Sequence, residues 1–269
     1  MRHTLGVYLR LIGVQIRSQM QYRLSFWTET ITTGLNIVGE FGSLALVLTK
    51  FGSIGGWTLP EVAFLYGITE IAFALMDMVF SGFDPQRFGQ RIRLGEFDRI
   101  LLRPVSPTVQ VLGLEFLMRR LGRVATGTGI FVVALALNPI QWTAAKIALT
   151  LISLVSMFIF FGGLFIIGAT ISFWTVESLE LMNTLTYGGS YTISHPMHIY
   201  PEWLRNFFTY LVPAIFLNYF PTLYILNKPD PLGFPAFAPL LSPVAGALMF
   251  LLALKFWHFG MRAYQSTGT

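Results

Sequence analysis

No cysteine occurs among the 269 residues, which excludes disulfides, thiolate nucleophiles and zinc–thiolate sites and leaves the redox compartment unread. Charge is scarce as well: Asp, Glu, Lys and Arg make up 12% of the chain against 54% hydrophobic residues, with a mean hydropathy of +0.62. A soluble domain is about a quarter charged, so the composition identifies an integral membrane protein whose apolar surface is hosted by lipid. Signatures of hydrolytic chemistry are missing too. The dipeptide Gly-Lys occurs nowhere, so no Walker A loop can cradle phosphates, and neither GxSxG nor HExxH is present. The N-terminal MRHTLGVYLRLIGVQIRSQMQYRL lacks a compact apolar core with a small-residue cleavage site. The first span is therefore expected to serve as an uncleaved insertion signal.

What is present reads as an all-α membrane protein. Residues 1–23 form an amphipathic interfacial helix, with Leu5, Leu9, Ile12, Ile16 and Met20 on one stripe and Arg10, Arg17 and Gln21 on another face. An ordinary juxtamembrane helix with snorkelling arginines predicts nearly the same placement. Six spans are expected at about 24–49, 59–82, 119–138, 142–174, 178–195 and 239–260, since a crossing helix takes roughly 20 residues. Between the fifth and sixth, 196–238 carries prolines at 196, 201, 213 and 221 and reads as a broken external helix pair that dips into the bilayer. Segment 206–226 as the crossing and 178–195 as the short one fits the same pattern.

Basic residues orient the chain. Four precede the first span, eight lie between the second and third, and Lys255 and Arg262 close the chain, against Lys50, Lys146, Arg205 and Lys228 on the other side. The net charge of +5 thus follows membrane topology rather than a nucleic-acid partner, and it places both termini and the 83–109 loop in the cytoplasm. Cytoplasmic termini require an even number of crossings.

The 83–109 loop is the feature around which the rest is arranged. Its FDPQRFGQRIRLGEFDRILLRPVSP carries five arginines. Asp84-Pro85 is a helix start, Gly95 a break, Glu96-Phe97-Asp98 a second start, and Pro104 and Pro107 the stop. Two short helices held between spans form a docking surface, through which another protein moves the membrane part. Arg87, Arg91, Glu96, Asp98, Arg99 and Arg103 supply its charged rim, with Phe97 and the Ile100-Leu101-Leu102 run as apolar anchor.

Acids at membrane depth are functional candidates by default. Glu29, Asn36 and Glu40 share a stripe of the first span, and Glu70 and Asp77 one of the second. Two readings stand: the stripes line a polar path, or the acids pair with one another, with the arginines of the third span, or with a partner subunit. Glu115 and Arg119 stand in the favoured i,i+4 order. Ala125 and Gly129 form a small-xxx-small pair for close helix approach. His195 and His198 have no carboxylate at matching spacing, so no metal site is expected.

This arrangement resembles the type-2 ABC transporter permeases, and Gly95–Pro107 (GEFDRILLRPVSP) is similar to the loop of a small six-span bacterial, exporter-like subfamily. The basic third span, the tail GMRAYQSTGT and the stretch HIYPEWLRNFFTYLVPAIFLNYFP share that character. The resemblance implies a permease that hydrolyses nothing itself and exports an amphipathic or hydrophobic compound across a bacterial inner membrane. It implies pairing with a second copy or a similar permease, and two separate ATP-binding subunits, holding ATP and Mg, docked on the 83–109 loop. An ATP-independent secondary transporter or channel is the alternative, though no inverted repeat is visible.

Overall fold

The computed structural model describes the backbone of residues 2–175 and 179–265 and the side chains of 6–175 and 180–265. Leu5 of the expected apolar stripe, Ser178 at the start of the expected fifth span and the last four residues of the tail therefore lie outside the described side chains or residues. Among the described residues every regular element is helical, apart from a lone bridge between Ile54 and Trp57.

Helix α1 (Arg2–Gln21) turns at Tyr22 into α2 (Arg23–Phe51). Gly52 ends α2 at φ 77°, a left-handed value open to glycine, and its N–H donates to the Leu48 carbonyl. Helix α3 (Leu59–Phe80) opens with a capping box between Thr58 and Glu61. Helices α4 (Pro85–Arg93), α5 (Glu96–Leu101) and α6 (Pro107–Leu114) follow as short pieces, then α7 (Leu121–Leu137) and α8 (Ala144–Ile171).

The expected fifth span is three abutting five-residue segments: α9 (Leu179–Asn183), a π-helical turn (Thr184–Gly188) and α10 (Gly189–Ile193). At 1.5 Å per residue the described helix is about 22 Å long, less than a roughly 20-residue crossing needs. Helix α11 (Glu202–Asn206) continues through Leu211, then bends by 104° into α12 (Ile215–Ile225) at the break holding Pro213. Pro221 lies inside α12 instead of ending it, and the Leu217 carbonyl it cannot bond faces Ser242 Oγ at 3.5 Å. Helix α13 (Ser242–Ala263) closes the chain. Among the described residues five helices are long and apolar enough to cross a membrane, or six if the bent pair counts as one span.

The core forms on α3, which is buried along nearly its whole length between α7, α8 and α12. Packing there relies on glycine. A Cβ on Gly67 would stand 2.8 Å from Phe131, and one on Gly163 3.2 Å from the α13 backbone at Phe250. Phe160, Phe161 and Phe165 of α8 are fully buried, so they fill the core. Ala125 and Gly129 do not form the expected seam: both are exposed, and a Cβ on Gly129 would meet open space. Gly122 closes α7 on α2 instead, where an added Cβ would overlap the Thr30 carbonyl, with Gly34 facing Thr126 from the other side.

Candidate functional site

The elbow between α3 and α7 forms as local chemistry dictates. Asp84 Oδ1 accepts from the Arg87 N–H at 3.1 Å with Pro85 at the first helical position, and Gly95 turns the chain at φ 65°. Two residues then fix the elbow to the bundle. Phe88 and Phe97 are buried and pack edge-on to each other, with ring centroids 5.6 Å apart, and both reach Phe173 and Trp257. Trp257 Nε1 donates to Thr108 Oγ1 at 3.0 Å, and Gln110 Nε2 donates to the carbonyls of Ile100 and Val105.

Phe97 is thus not an outward anchor. It is 0% exposed, because the six-residue α5 turns Phe97 and Ile100 together toward the aromatic cluster. The outward apolar residues are Leu94 and Leu102, 69% and 85% exposed, with Leu101 less so, flanked by exposed Arg93, Arg99 and Arg103. Among the described residues none of these three arginines forms an ion pair within the chain. Asp98 lies beside Tyr264. Burial and that carboxylate push the Tyr264 hydroxyl up to about 12.

Arg87 and Arg91 face inward as well. Both donate to Glu115, Arg91 Nη2 at 2.7 Å, and Arg91 Nη1 also lies 3.7 Å from Glu96. The expected Glu115–Arg119 pair does not form, since Glu115 is in extended backbone at φ −137° and ψ 137° and the i,i+4 geometry is lost.

Beyond that break the chain enters α7 with three arginines, and each takes a different acid. Arg119 binds Glu29 of α2 at 2.9 Å. Arg120 Nε and Asp77 Oδ2 lie 2.6 Å apart with the N–H misaligned, so they make charge contact without a directed hydrogen bond. Arg123 holds Glu70 in a two-pronged pair at 2.5 and 2.9 Å, its guanidinium 5.1 Å from the Phe73 ring centre. The Glu29 pair is half-exposed and contributes at most about 1 kcal/mol. The other two are buried, so their acids are bound in place rather than facing open space.

The break itself, 115–117, collects further bonds. Leu117 N–H donates to the Met78 carbonyl, Gln15 of α1 to the Leu114 carbonyl and Gln19 to that of Phe116. Three elements, α1, α3 and α4, are therefore tied to one short extended stretch. On the remaining part of α2, Asn36 and Glu40 are exposed, and Glu40 accepts from Tyr66 at 3.3 Å. At the opposite end of the bundle, His198 bridges the Gly55 carbonyl and the Tyr219 hydroxyl.

Comparison with known families decides what such a chain is. A model described as ABC-2 family transporter protein matches residues 34–268. The chain belongs to the ABC-2 family of transporter proteins. It is a multi-pass membrane permease, a transport subunit that is not itself catalytic. No curated protein matches the permease, and no solved structure does. The matched segment holds the elbow, the α7 arginines and the bent pair, while α1 and Glu29 precede it.

Proposed function

We propose that this permease is the membrane half of an ATP-driven exporter of an amphipathic or hydrophobic compound, moved by two ATP-binding subunits docked on the α4–α5 elbow. The observation that carries the reading is the elbow's division into two faces. Its inner face is fixed by Phe88, Phe97 and the Glu115 pairs. Its outer face presents Leu94 and Leu102 among exposed Arg93, Arg99 and Arg103, which form no ion pair among the described residues, the apolar centre and charged rim of a protein contact. A rigid inner anchorage is what a lever needs, because a docking surface that yields transmits no displacement. Arg99 and Arg103 keep their expected docking role, Arg87 and Arg91 act by holding α4 to Glu115, and ATP and Mg belong to the partner.

Movement of the elbow reaches the spans through the ionic row: Glu115 to α4, then Arg119, Arg120 and Arg123 to α2 and α3. Asn36 and Glu40, exposed on α2 at membrane depth, are costly against lipid. A second permease, identical or similar, covers them and closes a polar path. The basic residues of the elbow and of both ends of the chain favour the cytoplasmic side for these parts, and in this reading the membrane is a bacterial inner membrane.

The test is copurification of the permease with its Walker A subunit. Leu94→Ala with Leu102→Ala should leave the permease in the membrane and reduce recovered ATPase at least tenfold. Undiminished recovery and undiminished efflux would refute the docking face, and full transport without any ATPase would favour a secondary transporter.

A further inference from the structure

The final turns of α13 carry a surface that neither the elbow nor the ionic row uses. Lys255, His258 and Arg262 recur at spacings of three and four and line a shallow cleft of about 370 Å³ together with Leu251, Leu254 and Phe259. All three polar side chains are exposed, and among the described residues none is in an ion pair. His258 donates its Nδ1 hydrogen to the Leu254 carbonyl at 2.6 Å, which fixes the tautomer. Lys255 and Arg262, grouped here, repel each other, so their side of the cleft favours an anionic group.

The apolar half of the cleft says which anion fits. Phe259 and Leu251 are 61% and 57% exposed on the outside of a helix long enough to span a membrane. Trp174, half-exposed at the end of α8, stacks on Phe256 with ring centroids 5.8 Å apart and lies 5.9 Å from Phe259. A half-exposed tryptophan at a span end marks the level of the headgroups. From Leu251 to Arg262 the helix rises about 16 Å, so Arg262 stands at that level, Lys255 about 10 Å deeper reaches toward it along its aliphatic stem, and Leu251 lies a further turn below.

We propose that this cleft binds an anionic phospholipid, with Lys255 and Arg262 on the phosphodiester oxygens and Leu251, Leu254 and Phe259 along the upper acyl chain. A zwitterionic lipid fits less well, because its own ammonium joins Lys255 and Arg262. An acidic partner protein would leave the membrane-facing leucines without a role. The proposal needs only that α13 spans a bilayer, so it stands or falls apart from the docking of an ATPase.

The experiment titrates the full-length permease in neutral detergent with phosphatidylglycerol, phosphatidylcholine or inorganic phosphate, counting bound lipids by native mass spectrometry. Phosphatidylglycerol should bind at least tenfold tighter than phosphatidylcholine, and phosphate at matched concentration should not displace it. At about 1 kcal/mol for each basic residue at the surface, Lys255→Gln with Arg262→Gln should weaken phosphatidylglycerol binding about 30-fold. Lys255→Arg with Arg262→Lys should retain it, and Arg205→Gln at the other end should change nothing. Equal binding of the two lipids, displacement by phosphate, or an unaffected Gln variant that elutes as a monodisperse peak would overturn the proposal. Loss of a copurifying protein with lipid binding intact would overturn it equally, and would assign the cleft to that protein.

Discussion

Replacing Glu70 by glutamine removes one charge from the deepest ion pair and leaves its shape. Glu70 and Arg123 side chains are 5% and 14% exposed, and two N–H groups of Arg123 reach the carboxylate at 2.5 and 2.9 Å. The substitution leaves a guanidinium among α3 and α7 with one neutral acceptor, the Phe73 ring and the more distant carboxylates of Asp77 and Glu40. Breaking one partner of a buried pair costs about 3–5 kcal/mol, and the retained amide oxygen puts Glu70→Gln near the lower end. At roughly 2–4 °C per kcal/mol, the midpoint for thermal loss of the monodisperse peak in size-exclusion chromatography should fall by about 6–12 °C. Removing both charges, Glu70→Leu with Arg123→Met, should recover most of that loss, because an apolar pair of similar volume is often as stable as the ion pair it replaces. A single variant within about 1 °C of the parent, or a double variant worse than the single, would refute this account. The first outcome would mean that water or lipid headgroups reach the pair.

Three further outcomes follow from the same geometry. Glu115→Gln should keep the permease folded but lower ATPase-coupled efflux at least tenfold, measured with the Walker A subunit present, while Glu115→Asp retains part of it. Gly122→Val should cut folded yield severely, since even a Cβ there overlaps the Thr30 carbonyl, whereas Gly129→Val, with open space around it, should be tolerated; yield from fluorescence-detected chromatography separates them. Phe97→Ala should destabilise by about 3–5 kcal/mol through the cavity it opens, while Leu102→Ala leaves the thermal midpoint unchanged and weakens only partner recovery.

Local signals were legible and long-range ones were not. Asp84-Pro85 and Gly95 act within a turn of themselves, so the starts and break of α4 and α5 are readable from sequence. The orientation of α5 is not, because six residues give fewer than two turns of periodicity. Leu102 already belongs to the apolar anchor expected from sequence, whereas Leu94 lies just outside the helices whose pattern was being read. Pairing of the intramembrane acids with the α7 arginines was one of two open readings. Which acid meets which arginine depends on contacts 43 to 90 residues apart in the chain. The expectation for Glu115 failed for a specific reason: i,i+4 spacing presumes a helix, and the backbone there is extended. Gly122 gave no sign distinguishing it from Gly129, since only the approach of α2 makes the difference.

The non-helical stretch at 115–117 also separates two registers. Helices α6 and α7 do not share a phase, so one residue added at Phe116 would leave the register within α7 unchanged while displacing the bonds that Gln19 and Met78 make to the break. The same insertion between Arg120 and Arg123 would rotate the latter by about 100° and swing it away from Glu70. An insertion before Met118 thus disturbs the bonds that tie the break to α1 and α3, whereas one after Arg120 breaks the Arg123–Glu70 pair itself.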